Sequence, residues 1–487
     1  MTNVILFSPI CDTIRITFTI PPWALLHVAA PLVEDGYSVS IIDQNVELNW
    51  KKRLRSELGE DTLFVGVTAM TGMQIKFCLE FINEAKSLRN VPVVWGGGHA
   101  SIFPEQTLNH KQVDFVVKGE GEATVREFAQ ALKSGKGFNG IKGLWYKEDG
   151  KIRQNPEREF IDMNQLARMP FELIDVERYI FSTSYAKRNF ELCSSRGCPH
   201  RCGFCYNVCT NKQKWRCKSA EKVVEELKFL VEKYHIDGLN WREDNFFVDK
   251  KRVEAICLGM IREGLNIKWH SDSRIDYFAG YDDDFIELLR QSGCSRITFG
   301  VESGSQKVLN IIKKDITVEQ VLEVNRKMRK HGIRCMYHFS FGFMGESMDD
   351  VRQTVSLADT LLRENPNAGI WPPSMYTPYP GTPLFEESVR RGFKVPQELE
   401  QFISLFWAIS NLPWISVEQG KKLAKINFVM SGYASGIPLV KQWFGYRFRR
   451  LLKTNEPGLM PEKPVVDFVR QLIRESKIVC SKVPQMS

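Results

Sequence analysis

The sequence of 487 residues contains no apolar run long enough to cross a membrane. A membrane-spanning helix needs about 18 or more consecutive apolar residues, and no stretch approaches that length. The first ten residues, MTNVILFSPI, lack the basic segment and the long apolar core of a signal peptide. The chain is therefore expected in a reducing cytoplasm, where clustered cysteines serve metal binding or catalysis more often than disulfides.

The sequence also carries little excess charge for its size. The net charge is +8, with 43% hydrophobic and 25% charged residues, which is ordinary for a globular protein. A mildly basic, solvated surface accounts for this balance, so no nucleic-acid partner is predicted. The length suggests about three domains.

Five short apolar runs alternate with helical stretches in the first part of the chain, here taken as a domain of residues 1–140. The runs cover residues 4–10, 38–43, 63–70, 91–98 and 113–121. This alternation predicts a doubly wound, Rossmann-like parallel sheet, which binds ligands at the carboxyl ends of its strands. Those ends are rich in glycine, which lets a backbone approach a large ligand closely. The candidate ligand contacts there are Thr71, Gly72, Gly97, Gly98, His99, Gly119 and Gly121.

The rest of the chain divides into three parts. Residues 141–185 contain a predicted hairpin around Asp149-Gly150, followed by a linker. In residues 186–395 six further strand-and-helix units predict a partial (β/α)6 barrel, with reactive groups at the carboxyl ends of the strands. Those strands are predicted at residues 191–196, 237–244, 267–276, 295–303, 334–343 and 369–379. Residues 396–487 predict a helical region that packs on the barrel, with a hydrophobic lid or a membrane-surface contact as the alternative.

Five of the twelve cysteines lie in the stretch CSSRGCPHRCGFCYNVC, residues 193–209. Cys198, Cys202 and Cys205 form C-x3-C-x2-C just after the first predicted barrel strand. Structural zinc usually takes four ligands, often in two C-x2-C pairs, and no second pair follows. The spacing also differs from a ferredoxin run. Three such thiolates can hold three irons of a four-iron cluster and leave the fourth iron open to a ligand.

This motif, followed by the aromatic Tyr206, resembles the radical S-adenosylmethionine (SAM) superfamily. Residues 241–246 (WREDNF), 269–274 (WHSDSR), 299–305 (FGVESGS) and 377–387 (TPYPGTPLFEE) are similar to further motifs of that superfamily, in the same order. The resemblance covers residues 190 to 390. It implies a 4Fe-4S cluster on the three cysteines, whose open iron chelates SAM, and reductive cleavage of SAM to a 5′-deoxyadenosyl radical. The SAM contacts that it implies are Tyr206, Glu243, Ser271, Arg274 and Glu302.

Some residues near this motif keep more than one interpretation. Glu243 and Asp244 are an acid–base pair, a contact to the SAM amine, or a solvated strand end. Cys193, Cys209 and Cys217 are interpreted as ordinary buried or supporting thiols. A zinc-binding module that is not an enzyme is the competing class, but it leaves both α/β regions unexplained.

Residues 1 to 135 resemble the cobalamin-binding domain that precedes many radical SAM barrels. The chain lacks the D-x-H-x-x-G motif that supplies a histidine to cobalt in other cobalamin proteins. The resemblance implies cobalamin with no protein histidine on its lower face. His27 lies in a helical pattern and is interpreted as a packing residue. The alternative is a scaffold domain that has lost the cofactor.

Together the resemblances imply a class B, cobalamin-dependent radical SAM C-methyltransferase. It would act on an unactivated carbon of a small molecule, and the aromatic C-terminal residues favour a hydrophobic one. The alternative is a radical SAM cyclase, oxidase or rearrangement enzyme on the same scaffold. A methylthiotransferase would need more cysteines in the front domain, where only Cys11 and Cys78 occur. The implied electron donor is a flavodoxin or a ferredoxin.

Overall fold

The computed structural model describes residues 3–10, 19–405, 412–433 and 438–454. The strands are β1 (Asn3–Ser8), β2 (Ser38–Asp43), β3 (Thr62–Thr68), β4 (Val93–Gly96), β5 (Phe115–Val117), β6 (Leu144–Glu148), β7 (Lys151–Gln154), β8 (Asn189–Leu192), β9 (Ser195–Arg196), β10 (Arg216–Cys217), β11 (Gly238–Trp241), β12 (Lys268–Ser273), β13 (Cys294–Glu302), β14 (Arg334–Phe341), β15 (Ala368–Ile370) and β16 (Ser374–Met375).

The helices alternate with these strands in both halves of the chain. They are α1 (Trp23–Glu34), α2 (Trp50–Glu57), α3 (Met73–Leu88), α4 (Gly98–Ile102), α5 (Pro104–Asn109), α6 (Glu122–Ser134), α7 (Asn207–Thr210), α8 (Ala220–Tyr234), α9 (Lys250–Arg262), α10 (Ile275–Gly280), α11 (Asp283–Gln291), α12 (Gln306–Ile311), α13 (Val318–His331), α14 (Met348–Glu364), α15 (Pro383–Arg390), α16 (Val417–Tyr433) and α17 (Pro438–Thr454). Short 3-10 turns are formed by Met163–Gln165, Phe171–Leu173, Val176–Tyr179, Phe246–Val248 and Leu399–Ser404.

The front sheet has the order β2-β1-β3-β4-β5-β6-β7, and β1 to β5 are parallel. Helices cover both faces, so its central strands are apolar on both sides. In β1, Val4 and Leu6 pack into one core cluster, whereas Ile5 and Phe7 pack into the other. The strand order reverses beside β1, which is where doubly wound sheets bind ligands. The predicted Rossmann-like fold is confirmed.

The predicted hairpin forms, but it belongs to the front sheet. Strands β6 and β7 pair antiparallel, and β6 also pairs antiparallel with β5, so the hairpin extends the sheet by two strands. The predicted domain division instead places this hairpin with the linker, in residues 141–185. Alternating residues around Asp149-Gly150 predict a turn, but they do not show which neighbouring strand the hairpin joins.

The second sheet is a partial barrel of parallel strands in the order β15-β14-β13-β12-β11-β8, and β16 pairs with β14. All six predicted strands are present, but the last is split into β15 and β16. Pro372 and Pro373 lie between these two pieces, and proline cannot donate a hydrogen bond to a sheet. The short ribbon of β9 and β10 follows the first barrel strand.

The predicted helical C-terminal region is confirmed, and it contacts both domains. The turn Leu399–Ser404 returns to the front domain, where Phe402 is fully buried in the cluster that contains Phe7. Helices α16 and α17 pack against each other and add Phe428 and Phe444 to the core cluster shared with the barrel. Residues 406–411, 434–437 and 455–487 of this region lie outside the described residues. No helix in the described ranges is long and apolar enough to cross a membrane.

Candidate active site

The cysteine-rich loop is held at the carboxyl end of the barrel, between β9 and α7. Near its middle, the Gly203 N–H donates to the Ile312 carbonyl at 2.8 Å. The Leu384 N–H donates to the Gly203 carbonyl, also at 2.8 Å. The loop is therefore tied to the end of α12 and the start of α15, which fixes the three predicted cluster cysteines relative to the barrel.

Two of the three sulfur atoms accept hydrogen bonds from buried side chains. Arg274 donates from Nη1 to Cys202 Sγ at 3.3 Å, and Asn245 donates from Nδ2 to Cys198 Sγ at 3.5 Å. Donors of this kind stabilise a thiolate. Burial raises the pKa of Cys205 to about 12, so its thiolate needs a bound cation near neutral pH.

The three cysteines of this loop are one ligand short of a structural zinc site. Among the residues that the structure describes, no three His, Cys, Asp or Glu side chains surround one position that a metal ion would occupy. A structural zinc ion needs four ligands around one point, whereas a multi-iron cluster takes each thiolate on a different iron. The loop therefore fits an iron–sulfur cluster better than zinc.

A cavity of about 640 Å³ occupies the inside of the barrel, and its lining includes Asn245 and Arg274, which donate to sulfur atoms of this loop. We call it the barrel cavity. Its lining residues near the cysteines include Asp244, Asn245, Ser273, Arg274, Gly300, Lys314 and His338. A second layer, farther from the cysteines, includes Glu191, Asn240, His270 and Arg296. A cavity of this size and polarity is typical of a small-molecule site.

Glu302 lies just outside the barrel cavity and holds two of its lining residues. Lys314 Nζ donates to Glu302 Oε1 at 2.8 Å, and His338 Nδ1 lies 3.4 Å from Oε2. Burial alone would raise the pKa of Glu302, but the Lys314 ammonium and His338 hold it well below its usual range. Burial would likewise lower the pKa of Lys314, which Glu302 instead raises. Both groups are therefore charged near neutral pH.

This buried pair gives a stability prediction. Replacing Lys314 by Met leaves the Glu302 carboxylate buried without its cation, which is expected to cost about 3–5 kcal/mol. The double variant Lys314→Met/Glu302→Gln should lose less, because no unpaired charge remains. Lys228→Met is the matched control: its partner Glu263 lies at 3.1 Å on the exposed surface, where a pair contributes about 1 kcal/mol or less. Urea unfolding of the four proteins tests this order, and equal losses for the two lysine variants would contradict it.

Of the remaining barrel residues predicted as SAM contacts, Arg274 alone lines the barrel cavity. Glu243 instead accepts hydrogen bonds from the Ser194 backbone N–H at 2.6 Å and from the Ser194 and Ser195 hydroxyls. Ser271 is buried away from the cavity, and its hydroxyl donates to the Asp272 carbonyl. The cavity is lined two residues later by Ser273. The motif WHSDSR contains both serines, and the one nearer the carboxyl end of β12 is the one at the cavity.

A second cavity of about 390 Å³ lies between the front domain and the barrel, and we call it the inter-domain cavity. Its front wall is formed by the carboxyl ends of the parallel strands. The predicted contacts Gly97, Gly98, Gly119 and Gly121 line it, as does Tyr206 from the barrel. Gly96, which the sequence analysis did not select, also lines it.

The glycines of this wall leave room for a large ligand. A Cβ atom built on Gly96 or on Gly119 would meet no atom within 4 Å. A further cleft of about 730 Å³ adjoins the inter-domain cavity, with which it shares the lining residues Ser101, Phe160 and Thr210. This geometry fits a bulky cofactor such as cobalamin.

Three predicted contacts of the front domain lie away from this cavity. His99 is fully buried, and its Nδ1 atom forms a hydrogen bond with the Thr71 hydroxyl at 3.0 Å. Its ring packs edge-on against Phe402, and burial lowers the pKa of His99 to about 4. Gly72 lies beside the Leu405 carbonyl at the same contact. These residues dock the C-terminal region rather than line the ligand space.

His27, interpreted from the sequence as a packing residue, does line the inter-domain cavity. It lies four residues after Trp23 on α1, and both side chains face the cavity. Burial, with the nearby charges of Arg196 and Lys218, lowers the pKa of His27 well below its usual value, so the imidazole is neutral. The i, i+4 spacing of two ring-bearing residues on one helix is the signal that would have found it.

Ion pairs join the two domains at the rim of the inter-domain cavity. Arg196 of β9 contacts Glu120 at 2.9 Å and Glu122 at 2.6 Å. Arg216 of β10 contacts Glu120 at 2.6 Å. The glycine-rich loop after β5 is thus held against the ribbon next to the cysteine loop. Asp244 lines both cavities, so the two ligand spaces meet at one side chain.

Comparison with known proteins matches both halves of the chain. A model of the radical SAM superfamily matches residues 192–358, and a model of the B12 binding domain matches residues 11–129. An uncharacterized methyltransferase of Pyrococcus horikoshii is 31% identical over 440 residues, which are 89% of this chain and 93% of the relative. An anaerobic magnesium-protoporphyrin IX monomethyl ester cyclase of Synechocystis is 26% identical over 322 residues, 64% of this chain and 63% of the relative.

A solved structure shares the fold over most of the chain. It is the radical S-adenosylmethionine methyltransferase TsrM of Kitasatospora setae with cobalamin and a [4Fe-4S] cluster bound. The TM-score is 0.65 at 20% identity, over 80% of this chain and 75% of that one. The similarity supports the two-domain architecture described above.

Proposed function

The chain belongs to the radical SAM superfamily, in the form that carries a B12 binding domain ahead of the barrel, and on that basis we propose that it is a cobalamin-dependent C-methyltransferase. The observation that carries the proposal is the meeting of two ligand spaces at Asp244. A substrate in the barrel cavity lies next to a ligand of the front domain, as methyl transfer between them requires.

Cys198, Cys202 and Cys205 would hold the cluster, and the glycine-lined wall of the inter-domain cavity would hold cobalamin. When bound, the cluster supplies the electron that cleaves SAM, and cobalamin supplies a transferable methyl group. Arg274 and Asn245 would donate hydrogen bonds to two of the cluster sulfurs. The protein's part would be to position both groups relative to each other.

The residues beside the cysteines suit the polar end of SAM. The Asn245 amide oxygen is buried without a hydrogen-bond partner in the described part of the chain, so it is available to accept from the SAM ammonium. Lys314 faces the cavity and is available to the SAM carboxylate, with Glu302 as its positioning residue. Arg274 donates from Nε to Asp276 at 2.9 Å and from Nη1 to the Cys202 sulfur. We therefore assign it to the cluster rather than to SAM. Two other predicted SAM contacts, Glu243 and Ser271, do not line the barrel cavity. Tyr206 lines the inter-domain cavity instead.

The test is the content of metals and products after anaerobic expression with cobalamin supplied. We expect about four irons and one cobalt per chain, and both S-adenosylhomocysteine and 5′-deoxyadenosine during turnover. Stoichiometric zinc without iron would refute the radical chemistry. Iron without cobalt would refute the methyl-transfer proposal and leave the front domain as a scaffold.

A second candidate is ring closure, oxidation or rearrangement on the same scaffold. The similarity to the Synechocystis cyclase favours it, over a smaller share of the chain than the methyltransferase match. The two candidates differ in their products. Turnover that yields 5′-deoxyadenosine without S-adenosylhomocysteine would favour this second function.

We place the enzyme in a reducing cytoplasm with a flavodoxin or ferredoxin as its external donor. In support, the cysteines that the structure describes are all free thiols. Contact with a membrane surface is proposed for α17, where Trp443 and Tyr446 are exposed. Reduction of the cluster by each donor, and binding of the protein to anionic vesicles, test these assignments.

A further inference from the structure

The deeper layer of the barrel cavity contains polar side chains on four neighbouring strands. Glu191 of β8 pairs in register with Asn240 of β11, and Asn240 pairs with His270 of β12. His270 pairs in turn with Arg296 of β13. The four residues therefore form one layer across the barrel, and all of them line the cavity.

This layer is separate from the site assigned to SAM. Along β13, Arg296 precedes Gly300 by four residues. At about 3.3 Å per residue, that separation corresponds to about 13 Å of strand. Gly300 lies at the end of the cavity with Lys314 and the cysteine loop. A ligand group beside Arg296 is thus well removed from the cluster.

Several polar atoms in this layer have no hydrogen-bond partner in the described residues. They are both carboxylate oxygens of Glu191, Nδ1 of His270 and Nε of Arg296. Nearly all buried polar groups in folded proteins are hydrogen-bonded, so each of these atoms calls for a partner such as a water, an ion or a ligand. His270 Nε2 is already engaged, because it lies 2.8 Å from the Thr298 hydroxyl and 3.3 Å from Asp272.

Arg296 is the cation of this layer whose guanidinium makes no ion pair or hydrogen bond with another described residue. The Asp272 carboxylate, which also lines the cavity, acts on it only at longer range, whereas Arg242 lies 4.0 Å from Glu191. The rings of Tyr185 and Trp371 lie 5.4 Å and 5.8 Å from its guanidinium carbon. Aromatic rings hold a guanidinium in place and leave its N–H groups free to bind a ligand. Its register neighbour on β14 is Arg334, a second cation.

We propose that Arg296 binds an oxyanionic group of the substrate, such as a carboxylate, phosphate or phosphonate. This inference rests on the proposed function, since it assumes that the barrel cavity holds the substrate. The planar guanidinium fork matches the geometry of such groups. The reacting carbon then lies toward the cysteine loop, so the substrate is elongated, with its anion set apart from the carbon that reacts. A polar substrate of this kind differs from the hydrophobic one that the aromatic C-terminal residues favour.

Calorimetric titration of the full chain with inorganic phosphate, and separately with acetate, tests the anchor without turnover. We expect the natural protein to bind at least one probe and Arg296→Gln to weaken that binding about tenfold or more. Arg352→Gln is the matched control, because Arg352 is exposed on α14 beside Asp349. The Arg352→Gln protein should bind the probe as tightly as the natural protein does. Saturating SAM should not displace the probe. The stronger of the two probes indicates the type of oxyanion.

Three results would overturn the proposal: no binding of either probe, unchanged binding in Arg296→Gln, or displacement of the probe by SAM. If Arg296→Gln lowers the thermal midpoint, its weaker binding could reflect unfolding, and probe binding is then measured for Arg296→Lys. This variant keeps the positive charge but loses the planar guanidinium fork. A loss of about threefold or more supports the anchor, and unchanged binding overturns it. Iron and cobalt are measured on the same samples. If the probe binds at Arg296 but the samples contain neither iron nor cobalt, the proposed function is refuted and the role of Arg296 is supported. If the samples contain both metals but the probe does not bind at Arg296, the role of Arg296 alone is refuted.

Discussion

Replacing Cys198, Cys202 or Cys205 by serine is expected to lower bound iron at least tenfold, whereas Cys209→Ser should leave it unchanged. Loss of a group that merely supports a ligand already costs about 10–100-fold in metal affinity, so loss of a ligand should cost at least as much. In the proposed ligand set each of the three thiolates binds a different iron, so no neighbouring cysteine can take the place of a lost ligand.

Cys209 is a close control, because it lies four residues after Cys205 and undergoes the same substitution. Its sulfur donates to the Tyr206 carbonyl at 2.9 Å, a hydrogen bond that a serine hydroxyl can replace. Iron and sulfide per chain, with the visible absorption spectrum, are measured after anaerobic reconstitution. Loss of iron in Cys209→Ser equal to that in Cys205→Ser would mean that the ligand set has been misassigned.

The fold was predictable from the sequence because its signals are local and repeated. Buried parallel strands are continuous apolar runs, and the helices between them carry their own periodicity. Strand β2 has the bounds that its run predicts. Other runs extend too far: the run at residues 91–98 includes Gly98, whereas β4 ends at Gly96 and α4 begins at Gly98. Glycines after a strand belong to the ligand loop, and hydropathy does not separate the two.

The candidate site was only partly predictable, because the direction of a side chain depends on tertiary packing. His99 follows three glycines, yet it turns away from the inter-domain cavity and packs against Phe402, which is distant in sequence. The resemblance predicts Ser271 and Glu243 as SAM contacts, but their oxygens bond to nearby backbone and serine groups. Arg296 belongs to no motif, and only strand register places it in the barrel cavity.

Replacing Gly96 by leucine is expected to abolish cobalamin binding and leave the iron content unchanged. Gly96 ends β4 with an ordinary φ, and a Cβ atom there meets nothing within 4 Å, so the side chain extends into the inter-domain cavity. Gly97 would be a poor choice: its φ is +91°, and a Cβ atom would lie 2.5 Å from the Thr68 hydroxyl. Gly137→Leu is the control, because that glycine is exposed and equally open.

Cobalt and iron per chain, together with the thermal midpoint, are measured for the natural protein and both variants. Because leucine fills the ligand space without straining the backbone, we expect cobalt to fall from about one per chain to near zero while the midpoint stays the same. Cobalt retained in Gly96→Leu would place cobalamin elsewhere. Loss of cobalt alone in Gly96→Leu, together with loss of iron in the cysteine variants, would assign the two cofactors to separate sites. The cysteine variants lose iron at the barrel, and Gly96→Leu loses cobalt at the front domain. A chain that loses both metals in either set would instead have a single coupled site at Asp244, where the two cavities meet.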